Sequence, residues 1–316
     1  MNDKHAYLIM AHNQFELLKR LIQQLDDERN DIYIHIDKKT NGFDFEKFKQ
    51  LAVKSDIYFI PRINVKWGGY SQIQCELNLL KESIKKSYRY YHLLSGVDLP
   101  LKTQDDIHDF FKKYDGMEFV HFSKAGKKET KKFVSRISRY HLFQEYSPKS
   151  ASKLVKIGIT ITDKSFLIVQ RLIRTNRLKN EDITVKFGSS WFSITDDFAK
   201  YVVLQEQWIK EHFSLSKCSD ELFLQTLICH SPFEKNLSAR YFKKDHLGNM
   251  RKIDWLETTN SPNPEIWTIA DYESLIDTDH LFARKFDFNV DSTVVEQLCD
   301  YLDSKKEYQI DSKILN

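Results

Sequence analysis

Two short charged motifs in the second half of the chain have the residue types that group-transfer chemistry needs. The first is an acidic pair, Asp220-Glu221, at the start of an apolar run that predicts a helix. A carboxylate at a helix N-terminus is well held yet stays accessible, so it can serve as a general base. The second is a basic pair, Arg284-Lys285, whose two cations in an apolar frame suit a diphosphate. Together they predict base-assisted transfer from a nucleotide-activated donor.

The elements that must position these motifs alternate between strand-like and helix-like patterns. Alternation of this kind predicts an α/β fold with a mixed, mostly parallel sheet covered by helices. No repeat, low-complexity tract or Pro/Gly-rich linker divides the chain, so residues 1–316 are predicted to form a single domain. The predicted strands span residues 5–11, 32–36, 57–61, 91–95, 118–122, 187–194, 251–255 and 266–269, and the helices 14–25, 71–87, 105–113 and 292–302.

Polar residues follow three of the predicted strands. Ala11-His12, Asp37 and the run from Ser95 to Asp98 each come where a strand ends. Ligands in open α/β sheets bind at the carboxyl ends of the strands, so these positions are candidates for a binding site. The same residue types also serve as helix caps and turns.

Charge is unevenly distributed, although the net charge is only +3. Residues 124–186, the basic segment, contain 16 Lys and Arg against five acids, a net charge of +11, which leaves −8 on the rest. Within it, residues 166–174 place apolar residues and arginines at helical spacing, as in a helix on an anionic membrane surface. A solvated basic face over the core is the alternative. A nucleic-acid partner is not predicted, because the aromatics are not interleaved with the lysines.

The cysteines and the N-terminus bear on the compartment. The four cysteines are scattered, without Cys-X-X-Cys pairs or zinc-type spacing, and are expected to be buried thiols in a reducing environment. The apolar stretch 6–11 is too short for a signal sequence or a membrane span. A cytoplasmic protein is expected, peripheral at the inner face of the membrane if the basic segment docks there.

Seven short motifs follow one another along the chain: Ala11-His12-Asn13, His35-Ile36-Asp37-Lys38-Lys39, Trp67-Gly68-Gly69-Tyr70-Ser71, the run from Leu94 to Lys102, Gly188-Ser189-Ser190-Trp191-Phe192, Ser219-Asp220-Glu221 and Phe282-Ala283-Arg284-Lys285-Phe286-Asp287. Taken in this order, they resemble glycosyltransferase family 14, the core-2/I-branching N-acetylglucosaminyltransferases and peptide O-xylosyltransferases, in a bacterial-type form. The resemblance covers about residues 5–300.

The resemblance implies a GT-A-like nucleotide-sugar-binding fold, an inverting displacement and a UDP-sugar donor. It implies that Glu221 is the general base and that Asp220 is a helix N-cap or hydrogen-bonding neighbour. The donor-binding positions it implies are Ala11, His12, Asp37, Trp67, Ser95, Asp98, Arg284 and Lys285, and the acceptor-binding positions are Trp255, Trp191 and Asp220. Trp67 and Trp255 have core packing as their alternative.

The resemblance also implies that cationic side chains, rather than a divalent metal, neutralise the departing UDP. No cofactor and no metal ligand are therefore predicted, and Asp277-Thr278-Asp279 is interpreted as a helix end. The family's second diphosphate arginine has no evident counterpart. Arg284, Arg251 or an arginine of the basic segment replaces it, or metal independence does not hold.

The sequence thus predicts transfer of N-acetylglucosamine or a related sugar from a UDP-sugar to a hydroxyl of a glycan. A lipid-linked oligosaccharide acceptor in capsule, exopolysaccharide or O-antigen synthesis is the expected setting. The alternatives are xylosyl transfer to a serine hydroxyl and a non-catalytic nucleotide-sugar or glycan-binding module.

Overall fold

The fold is described from a computed structural model for residues 3–124, 126–142, 144–146, 152–179, 181–242, 247–254 and 264–314. Strands and helices alternate along the first third of the chain, and helices dominate the remainder. In order they are β1 His5–Ala11, α1 Phe15–Leu25, β2 Asn30–Ile36, α2 Phe45–Lys49, β3 Asp56–Phe59, α3 Ser71–Ser83, β4 Tyr90–Ser95, β5 Asp98–Pro100, α4 Gln104–Lys113, β6 Phe119–Val120, α5 Lys127–Ser138, α6 Lys153–Leu172, β7 Phe192–Thr195, α7 Asp196–Leu204, α8 Glu206–Phe213, α9 Phe223–Cys229, α10 Ser238–Phe242, β8 Arg251–Ile253, α11 Tyr272–Ile276, β9 Phe282–Arg284 and α12 Ser292–Ile314.

The main sheet of the described residues has the strand order β3-β2-β1-β4-β7-β6. Its first four strands are parallel, whereas β7 runs antiparallel to β4 and β6 antiparallel to β7. The predicted mixed, mostly parallel sheet is confirmed. A second sheet, β5-β9-β8, joins the strand that ends at Arg284 to β5, with Asp98 opposite Arg284 in the register.

The core lies on both faces of the main sheet, as the alternation of side chains along β1 shows. Tyr7, Ile9 and Ala11 pack into one apolar cluster with the buried face of α1, while Ala6 and Leu8 pack into the other with α3 and α7. A strand buried on both faces of a sheet is mostly apolar, and the apolar residues of β1 make it recognisable from the sequence. Strand β2 begins with the polar pair Asn30-Asp31, so its predicted start at residue 32 is two residues late.

Several predicted element boundaries are wrong. Residues 266–268 lie outside any strand, and a 3₁₀ turn begins at Ile269. Residues 187–191 form a loop, and only Phe192–Thr195 pairs as β7. The helix predicted from Ser219 starts at Phe223, after a 3₁₀ turn over Ser219–Glu221. The amphipathic pattern at 166–174 belongs to α6, which starts 13 residues earlier, at Lys153. Every helix in the described ranges is too short or too polar to span a bilayer.

Candidate active site

The carboxyl edge of the main sheet brings three of the predicted donor positions together. The backbone N–H of Asp37 donates to the carbonyl of Ala11 (2.9 Å), and that of Gly96, next to Ser95, donates to Met10 (2.9 Å). The carboxylate of Asp37 accepts from the backbone of Lys39 (2.8 Å) and pairs with its ammonium (3.2 Å). Parallel strands thus place Ala11, Asp37 and Ser95 at one edge, and the neighbouring His12 is exposed.

Glu221 ends a 3₁₀ turn over Ser219–Glu221, the base turn, where its side chain is 38% exposed. Its Oε2 lies 2.7 Å from Nη1 of Arg136, a residue of α5 in the basic segment. One oxygen of the carboxylate is therefore held by a cation while Glu221 stays accessible from solvent, a geometry that leaves the other oxygen available for a proton.

Asp220 lies beneath Glu221 and faces the protein. Its Oδ2 accepts hydrogen bonds from Nε2 of Gln72 (3.1 Å) and Oγ of Ser190 (3.0 Å). Burial, and then the charge of Glu221, raise the pKa of Asp220 from 3.8 to about 6. Asp220 is therefore a hydrogen-bonding neighbour, and it is not the N-cap of α9, whose capping position is Leu222. Its burial and its protein donors favour support of the base turn over the predicted contact with the acceptor.

A third carboxyl group, Glu76 on α3, lies deeper still. Its Oε2 is buried without a hydrogen-bond partner among the described residues. Burial, and then the charge of Asp220, raise the pKa of Glu76 well above its ordinary value. The carboxyl groups thus run from the interior outwards, and Glu221 is the accessible member.

The glycine-rich turn at residues 67–69 supports the base turn from the side. Gly68 adopts a positive φ of 73°, its N–H donates to Oε1 of Gln72, and its carbonyl accepts from the N–H of Cys218 (2.9 Å). Gln72 therefore connects this turn to Asp220. Trp67 at the tip is 72% exposed, so core packing does not explain it.

The loop over residues 188–191, the Gly188 loop, connects the base turn to the basic pair. The N–H of Gly188 donates to the carbonyl of Glu221 (3.0 Å), and a Cβ at this position would lie 1.8 Å from the carbonyl of His121. Only glycine fits there. At the other end, the ring of Trp191 lies under the guanidinium of Arg284, 4.3 Å from the ring centroid.

The two members of the basic pair have different surroundings. Nη1 of Arg284 lies 2.8 Å from Oδ1 of the buried Asp98, whose other oxygen accepts from the N–H of Ser95 (2.9 Å). Burial raises the pKa of Asp98 despite the opposing effect of Arg284. Lys285 forms no ion pair within the described ranges; burial, and then the charge of Arg284, lower its pKa. Lys285 is thus the cation of this pair that is available to a diphosphate.

Arg251 is not available to replace the missing diphosphate arginine. It is buried, and its guanidinium donates to Oγ of Ser193 (2.8 Å) and to the carbonyls of Phe192 (2.5 Å) and Leu93 (3.3 Å). Burial lowers its pKa to about 9. The other candidate for this role was an arginine of the basic segment. Arg136 is the arginine of that segment that reaches the site, and it forms an ion pair with Glu221.

Other predicted residues stand as follows. Trp255 lies outside the described residues. The Asp277-Thr278-Asp279 motif lies between α11 and β9, where the N–H of Asp277 donates to the carbonyl of Glu273 (3.0 Å). In the described part of the chain, no group of three or more His, Cys, Asp and Glu side chains is arranged to hold a metal ion. Metal independence stays a prediction.

Sequence reasoning assigned no role to Gln72, Ser190, Glu76 or Arg136. Ser190 lies inside a motif that carries the resemblance, and Gln72 follows another directly, so their positions were a usable signal. Glu76 gives no sequence signal beyond its place on α3. Arg136 was one of several arginines in the basic segment, and 85 residues separate it from Glu221.

The chain is similar in sequence to several known glycosyltransferases. Xylosyltransferase 2 of Rattus norvegicus is 24% identical over 93% of this chain and 33% of its own length. The N-acetyllactosaminide beta-1,6-N-acetylglucosaminyl-transferase of Homo sapiens is 25% identical over 93% of this chain and 70% of its own. The chain thus spans about a third of the length of the xylosyltransferases that it matches. A crystal structure of mouse xyloside xylosyltransferase 1 aligns over 71% of this chain at 10% identity, with a TM-score of 0.31.

A family model, described as Core-2/I-Branching enzyme, matches residues 5–276. The match includes the carboxyl edge of the main sheet, the Gly188 loop and the base turn, and it ends before the basic pair. Because it covers most of the chain, the protein belongs to the Core-2/I-Branching enzyme family.

Proposed function

We propose that this protein is an inverting glycosyltransferase that moves N-acetylglucosamine from a UDP-sugar to a hydroxyl of a glycan acceptor. The observation that carries the proposal is the Gly188 loop, which hydrogen-bonds to the base turn at Gly188 and packs against Arg284 through Trp191. One short segment therefore couples an accessible carboxylate to a basic pair. Family membership and a GT-A-like arrangement of the sheet support the donor class.

In the proposed reaction the acceptor hydroxyl oxygen bonds to C1 of the donor sugar from the face opposite UDP. The bond from C1 to the diphosphate oxygen breaks, UDP leaves with the electron pair, and Glu221 takes the hydroxyl proton. A single displacement inverts the configuration at C1. Lys285 neutralises charge on the departing diphosphate without a divalent metal. We place Ala11, His12, Asp37 and Trp67 on the uridine side.

Two further parts of the proposal rest on the resemblance. The acceptor is proposed to be a lipid-linked oligosaccharide of a capsule, exopolysaccharide or O-antigen, elongated at the cytoplasmic face of the membrane. Xylosyl transfer to a serine hydroxyl is the second candidate, because xylosyltransferases match the chain over the same 93% as the N-acetylglucosaminyltransferase does.

The test is a panel of UDP-N-acetylglucosamine, UDP-xylose, UDP-glucose and UDP-galactose, assayed for UDP release with glycan and serine-peptide acceptors, with and without EDTA. Glu221→Gln should retain UDP binding and lose at least about 100-fold in turnover, the lower end for a general base. Glu273→Gln, at an exposed glutamate of α11, is the matched control.

Each outcome of the panel is informative. Turnover in EDTA supports the metal-free mechanism, and abolition by EDTA with rescue by manganese contradicts it. Near-wild-type turnover of Glu221→Gln contradicts the base assignment. Binding of UDP without turnover of any donor, unchanged in Glu221→Gln, supports the non-catalytic module instead.

A further inference from the structure

Helix α6 carries an apolar stripe on its solvent side, interrupted in the middle by Lys164 and Ser165. Leu154, Ile157, Ile161, Ile168 and Leu172 follow at intervals of three, four, seven and four residues, so they share one face of the helix. Their exposed fractions range from 49% to 80%. Isolated exposed apolar residues are ordinary, but a row of five along a helix of about 30 Å marks an interaction surface.

The charges of α6 are arranged around this stripe. Lys164 and Arg171 are exposed, and their spacing of seven residues places both along one edge of the stripe. Asp163, the acidic residue of α6, is turned the other way, with its Oδ1 buried and its charge acting on the buried His141. The outward face is therefore apolar in the centre and cationic at its edge.

The helix is fixed to the protein by its C-terminal end. Gln170, its buried residue, donates from Nε2 to the carbonyl of Tyr140 (3.0 Å) and accepts from the N–H of Tyr140 through Oε1 (2.8 Å). Just beyond α6, the guanidinium of Arg177 donates to the carbonyls of Ile137 and Glu211. Arg177 is thus a structural residue and does not belong to the surface. These contacts set which face of α6 points outwards.

We propose that α6 lies on an anionic phospholipid bilayer, with the stripe in the headgroup boundary and Lys164 and Arg171 at the lipid phosphates. The +11 charge of the basic segment is complementary to anionic lipid and would repel a second copy of the same segment. The two charges at positions 163 and 164 disfavour a transmembrane position, and an amphipathic helix with a cationic edge is typical of interfacial binding. The proposal goes beyond the catalytic site and does not depend on it.

Co-sedimentation tests the proposal, with vesicles of phosphatidylcholine alone or in equal parts with phosphatidylglycerol. Wild type should pellet with the anionic vesicles at low salt and only weakly with the neutral ones. Binding should fall as salt shortens the Debye length from about 10 Å at 0.1 M to about 3 Å at 1 M. Equal pelleting with both vesicle types, or with neither, would contradict the proposal.

Two sets of variants separate the apolar and the charged contributions. Ile161→Gln/Ile168→Gln/Leu172→Gln should weaken anionic binding by roughly tenfold or more, since each side chain loses apolar burial. The control Val53→Gln/Leu204→Gln/Val290→Gln changes three exposed apolar residues elsewhere and should not weaken binding.

The second set tests the charges. Lys164→Gln/Arg171→Gln should weaken anionic binding and reduce its salt dependence. The control Lys54→Gln/Lys112→Gln changes two lysines that are exposed elsewhere and should do neither. Equal binding by the test and control sets would contradict the proposal.

A direct measurement covers the case in which the triple variant does not fold. Ile168→Trp should show a blue-shifted fluorescence change on adding anionic vesicles, and Val53→Trp should not. A wild-type dimer in solution that becomes monomeric in the triple variant, without vesicle binding by either protein, would assign the stripe to self-association and overturn the proposal.

Discussion

Nη1 of Arg136 lies 2.7 Å from Oε2 of Glu221, so the basic segment contributes a cation to the candidate base. The segment reaches the site at a second point, where Glu145 accepts from the N–H (2.8 Å) and Oγ (2.9 Å) of Ser71 at the start of α3. These contacts make the basic segment a part of the site. Arg136 can then have one of two roles: it orients Glu221, or it binds the diphosphate of the donor.

Replacing Arg136 distinguishes these roles. If Arg136 orients Glu221, Arg136→Gln should lower kcat about tenfold, a loss of about 1.4 kcal/mol, while the Kd for UDP stays within about twofold. Arg174→Gln, at an exposed arginine of the same segment, is the control and should leave both constants unchanged. A weaker Kd for UDP with unaltered kcat would instead make Arg136 the missing diphosphate ligand.

Asp220 gives a pH-dependent stability prediction. Its native pKa, about 6, exceeds its ordinary value of 3.8, so the folded protein binds this proton more tightly than the unfolded chain does. The stabilisation is complete below about pH 4 and is lost as the pH rises through about 6. The shift corresponds to about 3 kcal/mol. Asp220→Asn, which can still accept from Gln72 and Ser190, should lack this part of the pH dependence.

The measurement is denaturant unfolding of both proteins at about pH 4 and pH 7.5. The wild type should lose more stability between these values than Asp220→Asn, by at least about 3 kcal/mol. The difference includes a part from Glu76, because Asp220→Asn also removes the charge that raises the pKa of Glu76. Burial raises the pKa of Glu118 to about 7. Because Glu118 is present in both proteins, its contribution to the pH dependence largely cancels in the difference. Parallel pH profiles for the two proteins would show that Asp220 is ionised normally in the native state.

Local patterns predicted the parallel half of the sheet well, because the apolar runs of buried strands and the amphipathic pattern of α1 are recognisable within a few residues. They failed where tertiary partners decide the structure. A strand was predicted over residues 187–194, but Phe187 stacks on Phe133 and Trp191 packs against Arg284, and the chain turns at Gly188 between these two contacts. Arg136 and Glu221 are 85 positions apart in the sequence, so a local sequence pattern cannot predict their ion pair.

Lys285 is expected to contribute most of the charge that meets the diphosphate. Lys285→Ala should weaken UDP binding by about 1.5–3 kcal/mol, the range for a charged hydrogen bond, or roughly 10- to 150-fold in Kd. Lys252→Ala is the matched control, because Lys252 lies on the adjacent β8 and its ammonium donates to the carbonyl of Ser274 (2.8 Å). Calorimetry with UDP measures both, and equal effects of the two substitutions would remove Lys285 from the donor site.

The last prediction concerns Arg284, which the contacts described above assign to Asp98 rather than to the donor. Asp98 is 1% exposed, so Arg284→Met should leave a buried carboxylate without its cation, at a cost of about 3 kcal/mol in unfolding free energy. Asp98→Asn/Arg284→Met should recover much of this loss, because the double variant has no buried charge to compensate.

The loss in Arg284→Met should also be smaller at pH 5 than at pH 8. Arg284 lowers the pKa of Asp98, so without Arg284 the carboxyl group of Asp98 binds a proton more readily, and protonation removes the buried charge. Denaturant unfolding of the four proteins of the cycle gives the coupling energy. A coupling near zero, together with a weaker Kd for UDP in Arg284→Met, would return Arg284 to the donor-binding role that the sequence predicted.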